Sequence, residues 1–364
     1  MTEETLKRTP LHKVHVDAGG RMVPFAGWDM PVQYAGILDE VRAVRTNAGL
    51  FDVSHMGRLF IEGPGAATFL DRVLSTNVPK LRLGRARYGV ICDESGGIID
   101  DCIVYRRGET KYMLVPNASN TEAVTEWIGR WAPAASEATT VDSTSELAMV
   151  AVQGPSAMKM LQPLVAADLS ELKMFNIVET SINGEAGTIA RTGYTGEDGV
   201  EFFVPSSAVV AIWDALANSG AVPCGLGARD VLRLEAGLLL HGNDMDTTVN
   251  PYEAGLDRFV NADRDTYVAG PALRRIRDAG PTRKIVGLAV SGRRVVRAGH
   301  PIHSGGQQVG TVSSGSYSPT LDRNIALGYV PIALAAEGTP LTVDVRGNEV
   351  EVEVASLPFY SRPR

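Results

Sequence analysis

Between residues 37 and 48 apolar side chains recur at Ile37, Val41, Val44 and Ala48, with Asp39, Glu40, Arg42 and Arg45 on the remaining, polar face; this period predicts an amphipathic helix ending near Asn47-Ala-Gly49. A short unit then occurs twice. Arg58-Leu-Phe-Ile-Glu-Gly-Pro-Gly-Ala-Ala-Thr-Phe-Leu70 and Ala148-Met-Val-Ala-Val-Gln-Gly-Pro-Ser-Ala-Met-Lys-Met-Leu161 both read strand, Gly-Pro corner, helix, with the proline expected in the first helical turn. The repetition predicts two similar α+β subdomains. Each gains a second helix, over 121–131 with a stripe of Val124, Trp127, Ile128 and Trp131, and over 206–219 with Val209, Ile212, Trp213 and Leu216. Strands are expected around 112–115, 188–191 and 200–204, and their irregular alternation with helices favours antiparallel sheets.

From about Lys284 the period shortens to two. Ile285-Val-Gly-Leu-Ala-Val, Gln308-Val-Gly-Thr-Val, Ile325-Ala-Leu-Gly-Tyr-Val, Leu341-Thr-Val-Asp-Val and Val350-Glu-Val-Glu-Val, separated by turn residues, predict a small all-β barrel or sandwich. The charged stretch Arg274 to Arg283, containing Ala279-Gly-Pro281, reads as the boundary before it.

Composition narrows the class. The 364 residues suggest two or three domains, and 44% hydrophobic with 21% charged residues, without an apolar run near the roughly 20 residues of a membrane span, predict a soluble protein. The charged start Met-Thr-Glu-Glu-Thr-Leu-Lys-Arg predicts a cytoplasmic location, having neither the pattern of a secretory signal nor that of a transit peptide. Net charge of −7 argues against nucleic-acid binding. Cys92, Cys102 and Cys224 lack CxxC spacing and are expected as buried thiols, and no metal site is expected. His300-Pro-Ile-His303 reads as a Gly-rich turn.

No Walker loop, G-x-S-x-G elbow or H-E-x-x-H is present, and Gly225-Leu-Gly-Ala-Arg-Asp230 reads as a turn opening a helix. What stands out is polar residues inside apolar strands. Gly96-Gly-Ile-Ile-Asp-Asp101 places two carboxylates side by side in a strand, where neighbours face opposite ways, so one acid faces a site and the other does not. Arg191-Thr-Gly-Tyr-Thr-Gly-Glu-Asp-Gly199 reads as a hairpin loop carrying Tyr194; Glu201 follows it, on the face opposite to Val200 and Phe202, where a wet sheet surface is the default. Arg229, in the first turn of the next helix, opposes the helix dipole and invites an anionic or carbonyl partner.

Together, Phe25-Ala-Gly-Trp-Asp-Met-Pro, Phe51-Asp-Val-Ser-His-Met-Gly57, the Gly96–Asp101 and Arg191–Gly199 stretches, Gly225-Leu-Gly-Ala-Arg-Asp-Val-Leu-Arg-Leu-Glu-Ala236, His241-Gly-Asn-Asp-Met-Asp246 and Ser318-Pro-Thr-Leu321 resemble, in order and over nearly the full chain, the T-protein (aminomethyltransferase) family of the glycine cleavage system. The resemblance implies an α+β, three-domain cloverleaf around a central folate channel. Residues 1–52 and 140–273 would form a first ferredoxin-like, antiparallel α+β domain, 53–139 a second, and 284–364 a C-terminal β-barrel. It implies tetrahydrofolate as co-substrate and the lipoylated H-protein as partner, with neither nucleic acid nor membrane. Asp101 matches the acid that meets the folate N10 region and is the implied catalytic residue, Asp100 being structural. Glu201 and Arg229 match the residues that hold the pterin ring, and Met56, Tyr88, Asn117 and Tyr194 those lining the channel. Relatives often carry an aromatic residue near the stretch matching Gly255-Leu-Asp-Arg-Phe-Val260, where Arg258 or Phe259 falls here.

Two other readings share the scaffold: a folate-dependent demethylase of a small methylated sulfur or nitrogen compound, and a non-catalytic folate-binding protein linked to iron-sulfur maintenance. The His241–Asp246 block favours the transferase, and the Lys-Gly-Cys-Tyr-x-Gly-Gln-Glu block of the non-catalytic relatives is missing from this chain.

Overall fold

Both copies of the repeated unit turn the same corner. The structure, a computed structural model, describes residues 5–363, so the first four residues of the charged start lie outside it. Strand Leu59–Glu62 leads to helix Ala66–Val73, and strand Leu147–Gln153 to helix Ala157–Leu161. Pro64 and Pro155 lie in the preceding turns rather than in the first helical turn, and the residue that makes the corner is the glycine. Gly63 and Gly154 have φ of 132° and 133°. In each copy the residue after proline donates to a distant carbonyl, Gly65 N to Glu137 O at 2.8 Å and Ser156 N to Asn47 O at 2.9 Å. A Cβ on Gly154 would stand 2.4 Å from Asn47 O and 2.6 Å from Val44 O, and one on Gly63 would stand 2.3 Å from Glu137 O. Gly154→Ala is therefore expected to destabilise by about 2–4 kcal/mol, read as a lowered urea midpoint at unchanged slope.

The chain divides into two compact units. The first comprises residues 1–70, 78–88 and 102–230. It contains a six-stranded sheet in the order Ile177–Ile182, Glu185–Ala190, Gly199–Pro205, Leu147–Gln153, Gly49–Asp52, Val222–Pro223, antiparallel except for its last pair. Helices Ala157–Leu161 and Val209–Asn218 cover one face, burying Ile212, Trp213 and Leu216 against Leu50, Val150, Val152, Val200 and Phe202. A five-stranded sheet runs Arg85–Cys92, Ile98–Arg106, Lys111–Pro116, Leu59–Glu62, Thr139–Asp142, and residues 89–101 of its first two strands are counted with the second unit. The second strong stripe forms helix Thr121–Gly129, with Val124, Trp127 and Ile128 buried and Trp131 half-buried beyond its end.

The second unit comprises residues 71–77, 89–101 and 231–364. Its last part is a closed six-stranded barrel in the order Arg283–Val290, Arg323–Pro331, Gln307–Ser318, Pro301–Ser304, Pro340–Asp344, Glu349–Ala355. In Glu349–Ala355 the valines at 350, 352 and 354 are buried and the glutamates between them exposed, each valine contributing about 1.5–3 kcal/mol on burial. One expectation is corrected here, and one stretch gains detail. Residues 300–303 do not form a free turn: Ile302 and His303 pair with Val343 and Thr342, closing the barrel. The stretch read as a boundary is mostly helix Gly270–Ala279, whose charged residues are its wet face, and the helix ends where Gly280 takes φ 75°. The protein is thus α+β with a C-terminal barrel, and the three cysteines are free and buried. Among the described residues, no helix is long and apolar enough to cross a membrane.

Candidate active site

Helix Leu226–Glu235 presents Arg229, and its start is fixed from below. Glu40, expected on the polar face of helix Ile37–Thr46, is fully buried there, and its carboxylate accepts from Gly225 N at 2.9 Å and Tyr34 N at 2.6 Å. A buried carboxylate is stable only with such donors. Arg229 then lies with its guanidinium carbon 4.7 Å from the centre of the Tyr194 ring, a cation–π contact. Its Nη1 is buried without a hydrogen-bond partner. Burial pushes the guanidinium pKa down, while Glu201 and the Tyr194 hydroxyl push it up.

Glu201 is only 4% exposed, which overturns the wet-face default: both faces of Gly199–Pro205 are covered. Thr192 Oγ1 donates to its Oε2 at 2.6 Å. Burial raises the carboxyl pKa, opposed by the positive charge of Arg229 and by Thr192. Glu201 and Arg229 thus compensate one another in a site that also holds an unmatched donor, an arrangement that asks for a neutral ligand edge with donors for the acid and an acceptor for the guanidinium.

The loop carrying Thr192 and Tyr194 is clamped at three points. Gln153 Nε2 donates to Thr192 O at 3.2 Å and Val200 O at 3.3 Å, and its Oε1 accepts from the Thr195 hydroxyl at 2.8 Å. Arg45, also placed on the polar face by the sequence reading, is buried and donates to Glu197 at 3.1 Å and Thr195 O at 2.8 Å. Arg191 grips Asp198 with two bonds of 3.0 and 2.7 Å. Tyr194 is therefore held on a preorganised loop.

Met56 sits in a turn organised by two buried groups. Arg58, fully buried, donates to Ser54 O and Leu147 O at 2.7 Å and also to Met56 O and Thr144 O. Asp52 accepts from Ser54 N at 2.9 Å and lies 2.9 Å from His15 Nε2, whose Nδ1 is 2.8 Å from the Tyr34 hydroxyl. Burial alone would raise the Asp52 carboxyl, but hydrogen bonds from His15 and Ser54 and the nearby His15 hold it at about 2. Gly57 N donates to Pro116 O at 3.0 Å, which brings the Met56 turn beside Asn117. Tyr88 is half-buried on Arg85–Cys92.

His55 in the same turn is 3% exposed, packs edge-to-face on Phe25 at 5.7 Å, and has an unpartnered Nδ1. Burial pushes its imidazole from 6.5 down to about 4, helped by Arg229 and Arg58 and opposed by Asp52. The unfolded chain takes up this proton near pH 6.5 and the folded chain only near 4. Its contribution to stability is therefore complete above about pH 6.5 and is lost as pH falls to 4, by about 3 kcal/mol. Urea midpoints at pH 7.5 and 4.5 should show that loss in the wild type and a smaller one in His55→Gln; equal losses would contradict it.

Asp101 lies on Ile98–Arg106 in the part counted with the second unit, half-buried, while its neighbour Asp100 is fully buried. The alternation expected of adjacent strand residues is thus present. The strand's entry is fixed by the 241–249 segment of the same unit: Ile98 N donates to Asp246 O at 3.2 Å and Val249 O at 3.0 Å, and His241 Nε2 lies 3.2 Å from Ile98 O. A Cβ on Gly97 would stand 2.1 Å from Thr247 O, which is why the acids follow a Gly-Gly turn. In this unit Arg258 is exposed and its guanidinium carbon lies 4.6 Å from the centre of the half-buried Phe259 ring.

The structure therefore brings Glu201, Arg229 and Tyr194 together and sets Met56 beside Asn117. The sequence reading missed Glu40, Arg45, His55, Arg58, Gln153 and Thr192; Gln153, at the end of an otherwise apolar strand, was the clearest available signal.

Known proteins carry the same arrangement of domains. The GCVT N-terminal domain family matches residues 11–264, and the glycine cleavage T-protein C-terminal barrel domain family matches 283–361. The aminomethyltransferase of Symbiobacterium thermophilum is 45% identical over 370 residues, covering 99% of each chain. That of Rubrobacter xylanophilus is 46% identical over 361 residues, covering 99% of this chain and 96% of its own. The crystal structure of the glycine cleavage system aminomethyltransferase T from Bartonella henselae superposes with a TM-score of 0.93 at 36% identity over 98% of both chains. With both domains matched in order and full-length relatives at this identity, the chain belongs to the glycine cleavage T-protein family, the aminomethyltransferases.

Proposed function

We propose that the protein transfers the one-carbon unit of an aminomethyl group, carried on the dihydrolipoyl arm of H-protein, to tetrahydrofolate. The products are 5,10-methylenetetrahydrofolate, ammonia and dihydrolipoyl H-protein. In atoms, the C–S and C–N bonds of the arm's S–CH2–NH2 group break, N5 and N10 of folate each bond to the carbon, and their two protons end on ammonia and the thiol.

The observation that supports this reading best is the Glu201–Arg229 pair. A pterin edge presents N3–H and a 2-amino group as donors and a 4-oxo group as acceptor. Glu201 Oε1 and Oε2 would take the donors and the unmatched Nη1 of Arg229 would donate to the oxo group. Tyr194, Met56, Tyr88 and Asn117 would line the rest of the folate site. Asp101 is the proposed catalytic residue: its carboxylate would orient the folate N10 and stabilise the positive charge that develops as ammonia leaves. No enzyme nucleophile is required.

Titrating tetrahydrofolate into the purified protein should give one site from which a free pterin competes. Turnover should then require the loaded carrier, and a small N-methyl or S-methyl donor should not replace it. A small donor that supports turnover where the carrier does not would favour a demethylase.

A further inference from the structure

Residues 79–88, Pro-Lys-Leu-Arg-Leu-Gly-Arg-Ala-Arg-Tyr, contain four cations and no acid in a chain of net charge −7. Lys80, Arg82 and Arg87 are exposed, and Leu83 between them is 59% exposed. This segment is stitched to a second loop of the same unit, with Ala86 N donating to Phe175 O at 2.8 Å and Ile177 N to Gly84 O at 2.9 Å. The Arg85 guanidinium also donates to Asn176 Oδ1. The second loop adds exposed Lys173 and Met174, the latter 42% exposed. Phe175 holds φ at 58°, a left-handed conformation uncommon for a bulky residue, at the point where Met174 is turned outward. The acids nearby are few. Glu179 is engaged by Arg107 through bonds of 2.8 and 2.9 Å and Asp198 by Arg191, leaving exposed Asp168, Glu171 and Glu109.

The two stitched loops thus carry exposed Leu83 and Met174 together with the exposed cations Lys80, Arg82, Arg87 and Lys173, a basic stretch that includes apolar side chains. The same strand continues from Arg85 to Tyr88, a distance of about 10 Å at 3.3 Å per residue. We propose that this face is where the lipoylated carrier docks, through a carboxylate-rich surface of its own, so that its arm enters beside Tyr88. The inference rests on the carrier-dependent reading above. Charge complementarity selects the occupant: a stretch of this sign on a net-negative protein attracts an acidic partner from a distance, and exposed Leu83 and Met174 each offer it an apolar contact.

The test uses the full-length protein with aminomethyl-loaded carrier. The triple variant Arg82→Glu, Arg87→Glu, Lys173→Glu should lower kcat/KM for the carrier by about 30-fold, mostly through KM, and flatten its salt dependence. Tetrahydrofolate affinity should be unchanged, which also reports a folded site. The milder pair Arg82→Ala, Arg87→Ala should give about 5-fold, and reversal of Lys13, Arg42 and Lys159, exposed cations elsewhere on this unit, should give none. Normal carrier kinetics in both patch variants would overturn the docking assignment while leaving the proposed function standing. Competition by a single-stranded oligonucleotide at matched ionic strength would assign the face to nucleic acid and overturn it as well. A wild-type protein that binds folate but neither binds nor turns over the carrier would remove the proposed function, and the docking with it.

Discussion

Asp101→Asn is expected to retain tetrahydrofolate binding within a few-fold and to lose turnover by about 10²–10³-fold or more. The substitution keeps size and one acceptor oxygen, exchanging the other for an NH2 donor, on a strand whose entry is fixed by the 241–249 segment, so position is preserved. What disappears is one acceptor and the negative charge that we propose acts on the transition state as positive charge builds at the reacting carbon and nitrogens. A loss of kcat at constant folate Kd is the signature of an interaction made only in the transition state. Single-turnover rates and equilibrium titration on the same preparation separate the two quantities, and full turnover would remove Asp101 from the mechanism.

Arg229→Met is expected to act on binding and stability together. It removes the cation that compensates Glu201, which is 4% exposed and has Thr192 as its side-chain donor. Leaving the buried Glu201 charge without its compensating cation costs about 1–3 kcal/mol. Folate affinity should fall by at least about 100-fold as the 4-oxo donor is lost. Adding Glu201→Gln to Arg229→Met should recover much of the stability and none of the affinity. A double-mutant cycle by urea denaturation measures the recovery, and strict additivity would mean that the two side chains do not compensate each other.

The hydrophobic pattern alone was sufficient for the antiparallel α+β class and for an all-β C-terminal part, left open between barrel and sandwich, because strand and helix periods differ and the C-terminal strands alternate residue by residue. It failed where a polar side chain is buried. Glu40 and Arg45 lie off the apolar stripe of helix Ile37–Thr46, yet one anchors the start of the Arg229 helix and the other clamps the Tyr194 loop. Period reports the side of an element, and whether that side is wet depends on what packs over it. Glu201 failed the same way: its strand face was read correctly and its surroundings were not. The Gly-Pro corners were recognised as corners, but the constraint lies in the close approach of Gly63 to Glu137 O and of Gly154 to Asn47 O, contacts distant in sequence. Asp101 and Glu201 were singled out as polar groups in apolar strands, and Arg229 as a cation in the first turn of a helix. Their proposed roles came from the family resemblance.

The most direct test of the central claim is a single turnover in which purified protein, tetrahydrofolate and aminomethyl-loaded lipoyl H-protein are mixed, and ammonia and 5,10-methylenetetrahydrofolate are followed together. The account predicts equal amounts of the two, formed at the same rate and only when all three components are present. Folate bound with neither product formed would contradict it.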